Sequence, residues 1–137
     1  MLKIITLLLL PALCTISFVT AQTTNCKAYQ TAWIPLPPDN ATYSWEDIDV
    51  PVVLNFTTNK VSIKGNDQQV FDLLKLRRKF TDEKNDQFAV YNAKDEKGTA
   101  CKLTIQTLAG HSADHNFNIL IKYFDKEIVY RLRLAAN

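Results

Sequence analysis

Residues 101–134 read CKLTIQTLAGHSADHNFNILIKYFDKEIVYRLRL, and apolar and polar residues alternate along most of this segment. Cys101, Leu103 and Ile105 are each followed by a polar residue. A strand with one face in the core and the other in water has this period of two. We therefore predict a strand over Ala100–Leu108.

The end of the same segment predicts a hairpin. Residues alternate over Phe117–Tyr123 and again over Ile128–Leu134, and Asp125 and Lys126 lie between the two runs. So short a connection allows only a tight antiparallel return. We predict that these two runs pair directly with each other.

Upstream of this segment, shorter apolar runs are separated by turn residues. Gly, Asn and Asp cluster between the runs, and these residues adopt the backbone conformations of tight turns at low cost. We predict strands in the runs that these clusters bound: Asn25–Trp33, Pro51–Phe56, Val61–Ile63 and Gln87–Ala93.

The segment Gln68–Phe80 fits two patterns. Val70, Leu73 and Leu74 have the spacing of a helix face, whereas Val70, Leu74 and Leu76 fit one face of a long strand. We favour the strand because strands are predicted on both sides. The predicted fold class is therefore all-β, an antiparallel up-and-down meander of about seven or eight strands that forms a small closed barrel or a curved sheet.

A basic run, Arg77 to Lys79, closes this segment. Such a run can meet an anionic ligand, but a charged strand end beside a turn is the more common reason for one. We favour the solvated strand end.

Residues 1–21 have the features of a signal peptide. Lys3 is followed by the apolar run Ile4–Leu10, and Val19 and Ala21 supply small residues where a signal peptidase cleaves. Lipid attachment at Cys14 is an alternative, although a large residue precedes this cysteine. We expect export to the periplasm, the cell surface or the extracellular space, with no transmembrane segment in the mature chain.

The remaining chain has the size of one domain. Residues 22–42 form an N-terminal segment that contains the proline-rich strap Ile34–Pro38, and residues 43–137 form the antiparallel β domain. The formal net charge is only +2. This balance argues against nucleic acid as the main partner.

Two cysteines remain after removal of the signal peptide. An even number of cysteines in an exported chain predicts a disulfide, here between Cys26 and Cys101. The bond would hold the N-terminal segment against the sheet. A reactive or metal-binding thiol pair is disfavoured because the two residues lack CxxC spacing.

The residues that could support catalysis or metal binding are few. His111, Asp114 and His115 are candidate metal ligands, but their Gly-, Ser- and Asn-rich surroundings favour a solvated loop. The sequence shows no glycine-rich phosphate loop and no nucleophile elbow. We predict no cofactor and no enzymatic activity.

Several short motifs carry a resemblance. They are Trp45-Glu46-Asp47-Ile48, Val61-Ser62-Ile63, Gln69-Val70-Phe71-Asp72, Asp95-Glu96-Lys97-Gly98-Thr99-Ala100-Cys101, Ile121-Lys122-Tyr123 and Tyr130. Together they resemble a family of small secreted β-rich proteins of unknown function from Gram-negative bacteria. The resemblance implies a β meander and export, and it implies no activity.

Two functional interpretations follow. The first is a binding or interaction module for a protein or glycan, with Trp33 and Trp45 as candidate contact residues. The alternative is a lipocalin-like carrier of a small apolar ligand, in which inward-facing side chains line a cavity. In small barrels such side chains usually fill the interior instead. The residues that would line its cavity are Phe71, Phe88, Tyr91, Phe117, Ile119, Tyr123 and Tyr130.

Overall fold

The computed structural model describes residues 23–36, 43–112 and 115–135. These residues form eight strands and no helix. The strands are β1 (Thr23–Pro35), β2 (Glu46–Asn55), β3 (Lys60–Lys64), β4 (Gln68–Thr81), β5 (Gln87–Lys94), β6 (Ala100–Ser112), β7 (His115–Lys122) and β8 (Lys126–Leu134).

The strands form a closed up-and-down barrel. Each strand pairs antiparallel with the next, and β8 pairs with β1 to close the sheet. The predicted all-β meander is therefore confirmed, and the barrel replaces the alternative of an open curved sheet. The ambiguous segment Gln68–Phe80 lies in β4, and the predicted hairpin is β7–β8, where Lys122 pairs with Glu127.

The turns define two ends of the barrel. One end, here called the mouth, carries the β2–β3 turn at 56–59 and the β4–β5 turn at 82–86. The other end, here called the base, carries the turns at 65–67, 95–99 and 123–125. Because consecutive strands run in opposite directions, β1 begins and β8 ends at the mouth.

The interior is packed by side chains from every strand. The largest that are completely buried are Phe71, Leu103, Ile119, Ile121 and Leu132, together with Val52 and Val61. Full burial of a side chain of this size contributes roughly 1.5–3 kcal/mol. This part of the barrel is a filled core, as in other small barrels.

The predicted disulfide is wrong. Cys26 and Cys101 are both buried free thiols. Cys26 lies on β1 and Cys101 on β6, with β8 and β7 between them in the sheet. Three interstrand spacings of about 4.8 Å separate these strands around the wall. A disulfide requires Cα atoms within about 7 Å of each other. The N-terminal segment is instead held by the backbone pairing of β1 with β2 and β8.

Strand lengths are unequal at one point of the wall. β3 has 5 residues, whereas the next strand, β4, has 14. The β3–β4 pairing ends at Asp72, and the Leu73 N–H donates to the carbonyl of Asn59 at 2.8 Å. From Lys75 to Thr81, the described part of β4 pairs only with β5. The wall is therefore open on one side near the mouth.

Several sequence predictions concern residues outside the described ranges. They include the signal peptide at 1–21, the lipidation alternative at Cys14 and the last two residues of the proline-rich strap, Pro37 and Pro38. Within the described ranges, no helix is long and apolar enough to cross a membrane.

Candidate functional site

A cavity of about 640 Å³ lies at the mouth, between the β2–β3 turn and strands β4, β5 and β6. Ligand pockets typically have volumes of about 300–1,000 Å³. The residues that line it are Phe56, Asn59, Lys79, Phe80, Thr81, Gln87, Phe88, Ala89, Tyr91, Ile105 and Thr107.

The register of β4, β5 and β6 arranges the inner wall in three rows, each with one residue from each strand. The row at the rim is polar, the middle row carries one lysine, and the deepest row is mainly apolar. From the rim inward, the rows are Thr81–Gln87–Thr107, Lys79–Ala89–Ile105 and Leu76–Tyr91–Leu103.

The β2–β3 turn forms the wall opposite β4. The side chain of Asn55 accepts the backbone N–H groups of Thr57 at 3.0 Å and Thr58 at 3.1 Å. Asn59 has a φ of 56°, a left-handed conformation that asparagine tolerates better than most residues. These interactions hold Phe56 in the turn at the edge of the cavity.

The β4–β5 turn is fixed by two carboxylates. Asp82 Oδ1 accepts the backbone N–H groups of Lys84 and Asp86, both at 3.0 Å. Asp86, which is 8% exposed, accepts the N–H of Ala109 at 2.9 Å and the amide of Gln106 at 3.1 Å. The turn is thereby attached to β6, and the rim of the cavity is braced on this side.

The bonds of Asp86 continue across the outer face as a chain of side chains. Gln106 Oε1 accepts from Asn118 Nδ2 at 3.0 Å, and Asn118 Oδ1 lies 2.7 Å from His115 Nε2. Because the carboxylate can only accept, each amide donates toward Asp86 and the proton in the last contact lies on His115 Nε2. The chain joins the β4–β5 turn to β7.

A second, shallower groove of about 520 Å³ lies near the base. It lies between the exposed side chains of Leu74 and Phe124, with Lys102 and Lys122 beside them. Tyr123 also lines it. Next to this groove, backbone N–H donation from Thr99 lowers the pKa of Asp95, which accepts the hydroxyl of Tyr123 at 3.0 Å.

The two thiols have no features of an activated nucleophile. Burial raises the pKa of Cys26 to about 11. Burial, together with the negative charge of Asp95, also raises the pKa of Cys101 to about 11. A nucleophilic cysteine needs the opposite shift, because the thiolate is the reactive form.

Apart from the two tryptophans, the residues predicted to contact a ligand or partner lie in three different environments. Phe88 and Tyr91 line the mouth cavity. Phe71 and Tyr130 belong to the filled core, as does Ile119, and Phe117 packs against that core. Tyr123 lines the groove near the base. Of the two residues at the cavity, Tyr91 lies in the inner row of β5. Phe88 belongs to the opposite face of the strand and stacks on Phe80, with 4.7 Å between the ring centroids.

The two tryptophans lie outside the barrel interior. Trp33 is 62% exposed. The ring of Trp45 lies under the guanidinium of Arg131, with 3.7 Å from Cζ to the ring centroid. Arg131 also donates to Gln30 Oε1 at 2.9 Å. Trp45 therefore has an intramolecular partner, whereas the indole of Trp33 is largely open to solvent.

Three of the lining residues, Phe56, Ile105 and Lys79, were not predicted from the sequence to line a cavity. Phe56 follows the last residue of β2, and Ile105 was assigned only as an inward residue of its strand. Lys79 belongs to the basic run for which we favoured a solvated strand end. The alternation of β6 was a usable signal for Ile105, but nothing local places Phe56 at a cavity.

The metal-site candidates are only partly covered by the structure. Asp114 and the side chain of His111 lie outside the described residues. His115 contacts Asn118 and packs its ring against that of Tyr29, with 5.8 Å between the centroids. Within the described residues, no three metal-ligating side chains cluster.

Comparison with protein family models, curated proteins and solved structures finds no match to this chain.

Proposed function

We propose that this chain is an exported, non-catalytic carrier that binds a small and mainly apolar molecule in the mouth cavity. The observation that carries the proposal is the 640 Å³ cavity at the end of a closed barrel, with Phe56, Tyr91 and Ile105 in its lining. Export rests on the signal-peptide pattern of residues 1–21.

The shape of the barrel supports a binding role for this space. The barrel is filled around Phe71 and Leu103, while the lining at the mouth leaves apolar surface open to water. Each Å² of that surface costs about 25 cal/mol while it stays hydrated. A ligand that covers the surface recovers this free energy, and the fixed turns on both sides reduce the entropy lost on binding.

The test fills the cavity with a side chain. Ala89 lies in the lining, opposite Ile105, and Thr104 is the neighbour of Ile105 on the outer face of β6. We expect the wild-type protein to bind the neutral dye Nile red saturably, with a blue-shifted emission. Ala89→Trp should abolish this binding, and Thr104→Trp should retain it, with circular dichroism confirming that both variants fold.

Absence of saturable dye binding to the wild-type protein would contradict the carrier function. Equal binding by Ala89→Trp and the wild-type protein would also contradict it, because the dye would then bind elsewhere.

A second candidate is the interaction module, and the groove near the base is the observation that favours it. Leu74 is 59% exposed and Phe124 is fully exposed at 100%. Large apolar side chains left in water beside Lys102 and Lys122 are typical of a surface that contacts a partner. The complementary partner is a protein with an apolar contact residue and nearby carboxylates.

This candidate is tested by affinity purification from the envelope of the cells that make the protein. A partner retained by the wild-type protein and by Ala89→Trp, but lost from Phe124→Ser, would support it. Trp33→Ser is the matched control, because it removes another exposed aromatic side chain that does not line the groove. Loss of the partner from both serine variants would assign the binding to general surface hydrophobicity.

A further inference from the structure

The three residues of the basic run at the end of β4 take different positions at the mouth. The guanidinium of Arg78 lies over the Phe80 ring, 4.3 Å from its centroid. Arg78 pairs with Val90, whereas Lys79 pairs with Ala89, one position further along. Since neighbouring residues of a strand face opposite sides, Arg78 faces outward and Lys79 faces the cavity. Arg77 has no opposite residue, because the register shifts there.

Lys79 is the one charged residue among the described residues that line the cavity. No described carboxylate forms an ion pair with it. The β4–β5 turn carries three carboxylates, and none pairs with Lys79. Asp82 accepts backbone amides, Asp86 accepts from Ala109 and Gln106, and Glu83 is exposed and lies outside ion-pair distance of the ammonium. The ammonium group therefore presents a positive charge to the cavity that the neighbouring side chains leave unpaired.

The position of this charge agrees with the layering of the wall. The polar row Thr81–Gln87–Thr107 lies outside Lys79, and the row that contains Tyr91 lies deeper. A molecule that enters from the rim therefore meets hydrogen-bonding groups first, a cation next and apolar walls last. This order matches a ligand with an anionic group at one end and an apolar body at the other.

We propose that the ligand is a small amphipathic anion, with a terminal carboxylate held by Lys79 and an apolar body directed toward Phe56 and Tyr91. The proposal rests on the carrier function proposed above and adds the chemical class of the ligand. Thr81 and Gln87 at the rim can donate further hydrogen bonds to the carboxylate. A carboxylate that pairs with an ammonium in a partly apolar site forms a stronger bond than it would in open water.

The experiment compares two probes that share an apolar chain, decanol and decanoate, by displacement of Nile red at neutral pH. We expect the wild-type protein to bind decanoate at least about tenfold more tightly than decanol, as a charge-assisted hydrogen bond implies. Lys79→Met should remove this preference and change decanol affinity less than about twofold, because the methionine retains the apolar stem. Lys79→Arg should keep the preference.

Arg78→Met is the matched control, because it removes a neighbouring positive charge from the outer face. It should preserve the preference for decanoate. Equal affinities for the two probes in the wild-type protein would overturn the anionic ligand class while leaving the carrier function in place. An equal loss of the preference for decanoate in Arg78→Met and Lys79→Met would mean that general surface charge causes this preference. That result would also overturn the proposed anion site.

Failure of the wild-type protein to bind Nile red or either probe would refute the carrier function itself, and the ligand class with it. If Lys79→Met does not fold, the ratio of the two wild-type affinities still tests the anionic ligand class.

Discussion

Replacing Asp86 with asparagine tests whether a carboxylate sets the direction of the hydrogen-bond chain at the mouth. Asp86 accepts from Ala109 and from Gln106. In Asp86→Asn, one of the two oxygens becomes an NH2 group. The backbone N–H of Ala109 cannot turn, so the remaining oxygen is expected to stay opposite it and the new NH2 group to face the amide of Gln106.

Two donors then face each other unless every hydrogen bond in the chain of side chains reverses its direction. Gln106 and Asn118 can both rotate their amides, and His115 Nε2 must then accept instead of donating. We therefore expect the neutral imidazole of His115 to carry its proton on Nε2 in the wild-type protein and on Nδ1 in Asp86→Asn. Long-range ¹H–¹⁵N spectra of the histidine ring distinguish these tautomers directly.

The change also has a cost in stability. Hydrogen bonds to a charged group contribute roughly 1 kcal/mol more than neutral ones, so two such bonds predict a loss of about 2 kcal/mol in the free energy of unfolding. Urea denaturation of both proteins measures this loss. The control is Asp67→Asn in the exposed β3–β4 turn, where we expect a change below about 0.5 kcal/mol.

A loss below about 0.5 kcal/mol in Asp86→Asn, together with an unchanged His115 tautomer, would refute the reasoning. It would mean that the carboxylate neither braces the turn nor orients the chain of amides.

Three further measurements test other parts of the barrel. Cys26 and Cys101 should resist iodoacetamide in the folded state. The free energy of unfolding should fall between pH 9 and 11, because unfolded thiols with the ordinary pKa of 9.0 lose protons that the folded thiols keep to about 11. Replacing both cysteines with alanine should make the free energy of unfolding less dependent on pH over this range. Gly98→Ala should destabilise the fold by about 1 kcal/mol in thermal unfolding, since Gly98 has a φ of +80°, whereas Gly110→Ala should not. Phe71→Ala should cost about 3–5 kcal/mol in urea denaturation, and a cost below about 1 kcal/mol would contradict the filled core.

The regular part of the barrel could be predicted from the sequence because its signal is local. Alternation in β6, β7 and β8 follows directly from one face being buried, as Leu103, Ile119 and Leu132 show. The short gap around Asp125 and Lys126 left no other connection than a hairpin. Closure of the sheet could not be predicted in this way, since pairing of β1 with β8 depends on residues at opposite ends of the chain.

The disulfide was wrong for a related reason. The even number of cysteines and the expected export predicted a bond, but neither says where two strands lie in a barrel. Cys26 and Cys101 both occupy inward positions, where a free thiol packs as a small apolar side chain. The count of cysteines could not distinguish this role from a covalent one.

The segment whose pattern was hardest to interpret is also the one that forms the proposed binding site. β3 is confined between the turn at Asn59 and the turn that begins at Gly65, so β4 extends beyond it and gives one wall of the cavity. Residues after Leu73 are exposed and need not fill a core, and the register shifts in β4 break the alternation further. A helix and a strand therefore fitted this segment almost equally well. The same freedom from packing permits a lysine on the inner face, so the irregular pattern and the proposed anion site have one structural cause.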